Sequence, residues 1–154
     1  MATTRAVEFF LDRLTERDLE GFLALFSEDA VMEMPFAPPG APPRLSGSRQ
    51  LRAFWTIIFD SMATMRFENV DIDTLGSGSR VISFHEGRVM LADGTPYDNR
   101  YVCLFEIDGS GKISRYVEHY NSLIVARSFG GEDQLASLFG PVVHSPELPG
   151  ISAS

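Results

Sequence analysis

One cysteine, Cys103, stands among 154 residues. No internal disulfide can form and a cysteine-rich zinc site is impossible, which suits a reducing compartment, so a cytoplasmic location is expected. Positive charge is scarce as well, with 13 Lys and Arg against 21 Asp and Glu for a net charge of −8. That sign repels phosphate backbones and anionic lipid, so neither nucleic acid nor a membrane surface is an expected partner. No apolar run approaches the roughly 18 residues that a membrane span needs. MATTRAVEFF shows no long apolar stretch behind a basic start, so no signal peptide is expected. The three histidines show no metal-ligand spacing with the acidic residues, so no metal is expected, and nothing calls for a cofactor.

What remains is an ordinary globular composition, 44% hydrophobic and 22% charged, in a chain long enough for one sizeable core. Ala6, Val7, Phe10, Leu11 and Leu14 form a helical stripe over residues 4–16. A short second helix starts at Asp18 as N-cap, with Leu19, Phe22, Leu23 and Phe26 on its apolar side. Glu28 and Asp29 lead into AVMEMPF, a short strand ending at Pro35. FAPPGAPPRL is too rich in Pro and Gly for regular structure; it is a surface connection or the wall of a pocket. Ser46 or Ser48 caps a third helix through Leu51, Phe54, Trp55, Ile58 and Phe59.

Beyond about Met65 the pattern turns to strands at 65–75, 79–92, 97–107 and 112–121, separated by GSGS, DGTP and DGSGK. These are reversing turns rather than phosphate loops, because no helix follows GSGS or DGSGK. Three helices and a four-strand meander make an α+β layout with helices on one sheet face. YVCLF (101–105) is apolar at both parities, so both faces should be covered, the outer one by a second copy in a homodimer. Residues 1–130 form the expected domain. Residues 131–154 form an extension, helical at 132–139 and then loose.

VEHYNSL (117–123) sets Glu118 beside His119, yet alternation sends them to opposite faces. Glu118 shares its face with Tyr116 and Tyr120. If DGTP is a simple turn with Ala92 opposite Tyr97, Arg88 faces Tyr101 and Glu86 faces Cys103. That face then collects Glu86, Arg88, Tyr101, Cys103, Tyr116, Glu118 and Tyr120. A slip of one residue would put His85 in place of Glu86. In the chosen register His85 and His119 lie outside, as surface or interface residues. Cys103, without an activating base, reads as a core thiol.

AVEFFLDRLTERDLEGFLALFSEDAVMEMPF resembles the opening of the NTF2-like superfamily, which includes ketosteroid isomerase. DGTPYDNRYVCLFEIDGSGKISRYVEHYNSL resembles the last hairpin of its SnoaL-like and PhzA/B-like branches, where G-K-I-x-x-x-x-E/D-x-x-N is usual. The Pro-rich PFAPPGAPPRLSG is similar to a SnoaL-like connection. The resemblance covers about residues 5–128 and implies a cone of helices and curved sheet around a deep pocket. It is less specific for chemistry, since one fold hosts many activities. The isomerase's tyrosine and two aspartates fall on Phe10, Met34 and Cys103, which disfavours that mechanism. The epoxide-hydrolase branch implies acids at Glu118 and Glu86, but its Arg falls on Phe84. The PhzA/B-like branch implies an acid–base group at Glu118, while its His and Ser fall near Arg52 and Thr56.

The expected function is therefore cofactor-independent acid–base catalysis on a small hydrophobic molecule, an isomerase, cyclase, dehydratase or epoxide hydrolase of polyketide- or terpenoid-like metabolism. Glu118 and Glu86 are the candidate catalytic acids. Tyr101, Tyr116, Tyr120, Arg88, Phe10, Met34, Trp55 and Cys103 are the expected substrate contacts. The alternative is a dimer that binds a small molecule, or stabilises a partner, without catalysis.

Overall fold

The computed structural model describes residues 2–143. Val7, Phe10, Leu11 and Leu14 recur at helical spacing and are all buried, so α1 (Ala2–Thr15) has one apolar side. Asp18 opens α2 (Leu19–Leu23), accepting from the Gly21 N–H at 2.9 Å. α3 (Gly47–Ser61) buries Leu51, Phe54, Trp55 and Phe59. Ser46 occupies its N-cap position without a side-chain bond; its own N–H donates to Gln50 Oε1 at 2.9 Å.

Six strands form one sheet: β1 (Phe26–Glu33), β2 (Arg44–Ser46), β3 (Met62–Leu75), β4 (Arg80–Leu91), β5 (Pro96–Ile107) and β6 (Ile113–Tyr120). Their order is β2-β1-β6-β5-β4-β3, antiparallel throughout except where β1 runs parallel to β6. β1 starts earlier than AVMEMPF suggested. An irregularity between Phe26 and Val31 in its pairing with β6 lets Glu28 and Asp29 both face solvent inside the strand.

The β4–β5 hairpin corrects the expected register. Gly94 N–H donates to Leu91 O and Leu91 N–H donates to Thr95 O, each at 2.9 Å, so the loop is residues 92–94 alone. Gly94 holds φ of +87°, the left-handed residue that ends such a three-residue loop. Val89, not Ala92, lies opposite Tyr97; His85 faces Tyr101, Ser83 faces Cys103, and Glu86 faces Arg100. A displacement of three residues, being odd, exchanges the two faces of β4. Burial alternates accordingly: Val81, Ser83, His85, Val89 and Leu91 are buried, while Arg80, Phe84 and Met90 are exposed.

Phe10 is 1% exposed and organises the core. Its ring lies 4.9 Å from Phe22, 5.1 Å from Phe105 and 4.9 Å from Tyr116, centroid to centroid. Beyond β6 come α4 (Ser122–Ser128) and α5 (Glu132–Val143). α5 buries Leu135, Phe139 and Val142, and Phe139 stacks on Phe54 at 5.3 Å. The Pro-rich loop seats against this helix at Gly40, where φ is +93° and a Cβ would fall 2.5 Å from Glu132 O. The expected loose end after α5 falls outside the described residues. Among the described residues nothing of the same chain covers the outer sheet face, the face expected to meet a second copy: Phe84 is 47% and Val102 36% exposed. Phe10→Ala should cost about 3–5 kcal/mol in urea-unfolding free energy, as truncation of a buried phenylalanine typically does.

Candidate functional site

Where the helices leave the inner sheet face, a cavity opens with about 760 Å³ of atom-free space, its mouth included. Phe10, Leu14, Met34, Trp55, Met65 and Val89 make much of its apolar wall, and Ala41 of the Pro-rich loop and Phe139 of α5 close it. The loop therefore does wall a pocket. All four tyrosines of the chain, Tyr97, Tyr101, Tyr116 and Tyr120, line the cavity, as does its one tryptophan. Among the described residues, the ionisable side chains in the lining besides tyrosine are Glu118 and His85.

Glu118 projects from β6 among these rings. Desolvation raises its pKa from 4.5 to about 7, although the Tyr116 hydroxyl, donating to Oε2 at 2.5 Å, favours the carboxylate. Behind Tyr116 stands the Cys103 thiol, 3.4 Å from the phenolic oxygen. Cys103 does not line the cavity; it is a core thiol whose pKa burial pushes up. Ser83, opposite Cys103, lies 3.3 Å from His85 Nδ1. The His85 ring stacks on Tyr101 at 5.3 Å and meets Phe67 edge-on at 5.4 Å. Desolvation lowers its pKa from 6.5 to about 4, so the imidazole is neutral at physiological pH.

Several expected site residues thus meet: Glu118, Tyr101, Tyr116, Tyr120, Phe10, Met34 and Trp55 all line the cavity. Glu86 and Arg88 do not. They lie on the outer face, where Arg88 donates to Glu86 at 2.6 Å and Arg100 approaches Glu86 at 3.4 Å. The three-residue turn is the reason, and it brings in His85, expected outside. His119 does lie on the outer side, its Nδ1 3.2 Å from Val102 O and its ring 5.4 Å from Phe36.

Two further residues escaped notice. Tyr97 and Asn99 share the parity of Tyr101 on β5 and are nearly fully buried. Asn99 Oδ1 accepts from Arg100 N–H at 2.8 Å and Asn121 N–H at 3.0 Å, while Nδ2 donates to Asn121 O and Tyr97 Oη, both at 3.2 Å. Carrying the parity of Tyr101 back along its own strand would have found both. Asn121 itself, the last residue of the G-K-I-x-x-x-x-E-x-x-N pattern, caps α4 by accepting from Leu123 N–H at 3.1 Å. Among the described residues, no group of three or more His, Cys, Asp or Glu side chains is placed to hold a metal ion. Nor is any described helix long and apolar enough to cross a membrane.

The family profile of the SnoaL-like domain matches residues 7–116. A PhzA/B-like protein of Pseudomonas aeruginosa is 28% identical over 128 residues, 82% of this chain and 89% of that one. A Bacillus subtilis structure provisionally described as an isomerase superposes with a TM-score of 0.78 at 25% identity, covering 84% of this chain and 94% of that chain. A Mycobacterium tuberculosis protein solved with estradiol-17β-hemisuccinate gives a TM-score of 0.69 at 18% identity, over 80% of this chain and 96% of that one. The architecture is the NTF2-like α+β fold.

The opposed shifts at Glu118 and His85 give stability effects of opposite sign. Folded Glu118 binds its proton more tightly than the unfolded chain does. Its contribution is therefore full below pH 4.5 and is lost as pH rises from 4.5 through about 7. Folded His85 resists protonation, so its contribution is full above pH 6.5 and is lost as pH falls from 6.5 toward 4. Relative to the wild type, Glu118→Gln should gain about 2 kcal/mol of unfolding free energy between pH 5.5 and 8. His85→Phe should gain about 1 kcal/mol as pH falls from 7 to 5.5. Urea titrations at these pH values, clear of the isoelectric point near 4.8, test both; flat differences would refute the assigned environments.

Proposed function

The chain belongs to the SnoaL-like family, and we propose that it performs cofactor-independent acid–base catalysis on a small hydrophobic molecule, with Glu118 shuttling the proton. The observation that carries this is the Glu118 carboxyl set among tyrosines and apolar side chains in the cavity, where desolvation raises its pKa to about 7. Near neutrality it is present both as acid and as base, the condition for proton transfer in either direction. It can take a hydrogen from carbon beside a carbonyl and return it elsewhere, or protonate an oxygen that leaves. Isomerisation, cyclisation and dehydration are the reactions this suits, in polyketide- or terpenoid-like metabolism. Two-carboxylate opening of an epoxide loses its support, because Glu86 is on the other side of the sheet.

The second reading, binding without turnover, draws on the steroid-derived ligand of the mycobacterial relative. An enolisable bicyclic ketone, 2-tetralone, separates the two. Catalysis predicts that the protein accelerates exchange of its α-hydrogens in D₂O, followed by NMR, with a pH profile inflecting near 7. Glu118→Gln should lower that rate roughly 10²–10⁴-fold. A variant within tenfold of wild type would sink the catalytic role. Binding of the ketone without any exchange by the wild type would favour the second reading.

The proposed partner on the outer sheet face is a second copy of the chain. Phe84 and Val102 sit opposite one another there, and Ile82 and Leu104 adjoin them. Charges of both signs flank the patch: Glu86 with Arg88 and Arg100 toward one end, Arg115 with Glu33 and Glu106 toward the other. Such a surface is complementary to itself under a two-fold axis, despite the net charge of −8. Sedimentation equilibrium should show a dimer, and Phe84→Glu should shift it to monomer with secondary structure unchanged. A monomeric wild type refutes the assembly.

A further inference from the structure

The hydrogen count at Tyr97 and Tyr101 identifies what the cavity asks of its ligand. Asn99 has no freedom to turn its amide over, because two backbone N–H groups, of Arg100 and Asn121, require Oδ1 where it stands. Nδ2 therefore faces Tyr97 and must donate, which makes the Tyr97 oxygen an acceptor. The Tyr101 hydroxyl donates to the Tyr97 oxygen across 3.2 Å. Each phenol carries one hydrogen. The Tyr101 hydrogen lies between the two oxygens; the Tyr97 hydrogen has no acceptor among the described residues, and both rings line the cavity. Tyr97, held by its neighbours as an acceptor twice over, therefore offers its own O–H to whatever occupies the space. A buried donor left without an acceptor is costly, so the site favours an occupant that supplies one.

Taking the cavity as the substrate site, as proposed above, we infer that the Asn99-locked Tyr97–Tyr101 pair seats an oxygen acceptor of the substrate, which is an apolar ketone or enone with its carbonyl against β5. An ammonium, which has donors only, gains nothing there. A carboxylate meets no cation, since neither Lys nor Arg lines the cavity among the described residues. A carbonyl satisfies the pair and leaves the carbons beside it to the proton chemistry of Glu118. Tyr97 and Asn99 are thus substrate-positioning residues, Tyr97 by contact and Asn99 through Tyr97.

The test uses ¹³C-carbonyl 2-tetralone and the matching hydrocarbon tetralin, which lacks only the oxygen. In the wild type the infrared carbonyl stretch of bound 2-tetralone should fall below its value in an alkane. Tyr101→Phe should keep that downshift, because Tyr97 still accepts from Asn99 and then turns its own hydrogen to the ligand. Tyr97→Phe/Tyr101→Phe together should return the stretch toward the alkane value and weaken ketone binding about tenfold, with tetralin binding unchanged. Glu118→Gln should keep the downshift while losing α-hydrogen exchange, so the seat and the proton shuttle fail separately. A downshift that survives the double variant, or is absent from the wild type, overturns the inference, as does failure of 2-tetralone to bind. Should the double variant not fold, wild-type protein grown with 3-fluorotyrosine gives four fluorine resonances, all from the cavity. The Tyr97 and Tyr101 signals, assigned by the single variants, should move with 2-tetralone and stay with tetralin. Equal movement with both compounds would refute the seat.

Discussion

A carboxylate is expensive to hold among aromatic rings without a cation beside it, and that cost at Glu118 conditions the rest of the site. Among the described residues no Arg or Lys lines the cavity to offset the charge. Its one hydrogen-bond partner among the described residues is the Tyr116 hydroxyl, and that bond is not enough to keep the pKa in the usual range. Tyr116 is in turn fixed by the Phe10, Phe26 and Phe105 rings, so the acid is aimed by the same aromatic cluster that makes the core. Stability and site geometry share side chains here. Truncating Phe10 in this chain would disturb both.

Desolvation acts on His85 in the opposite sense. It biases the carboxyl toward holding a proton and the imidazole toward refusing one. Between these two pKa values both groups are uncharged, and the tyrosines, whose pKa values burial also raises, stay protonated. The cavity is thus close to neutral in mildly acidic solution, although the whole chain carries a net charge of −8 at pH 7. Apolar, uncharged ligands with one or two polar atoms match such a space.

The fold was legible because it is written locally. Apolar stripes in α1 and α3, Asp18 at a helix start, and Gly-rich turns between long strands each act over a few residues. The face of Glu118 was legible too, since alternation within β6 needs no knowledge of its neighbours. The cross-strand partners were not, because register depends on one turn, and DGTP does not announce whether its loop holds three residues or four. Even so, β4 carried the answer within itself. Its even positions include Arg80, Glu86 and Arg88, and its odd positions carry no fixed charge. Parity of charge along that strand would have turned His85 inward where the assumed turn did not. The outer face is a different case: apolar residues at both parities say that something covers a sheet, and a second copy is the proposed cover rather than one the strand pattern itself names.

That turn has a consequence for how such cavities diversify. Residues 92–94 face solvent and are not part of the lining, yet their number decides which half of β4 the ligand meets. Gain or loss of a single codon there would trade an imidazole for a carboxylate or a phenyl ring, and an apolar wall for a salt-bridged one, with no change in the strand itself. Within this architecture, new pocket chemistry lies one small insertion away, at a place where the chain is otherwise most tolerant of length.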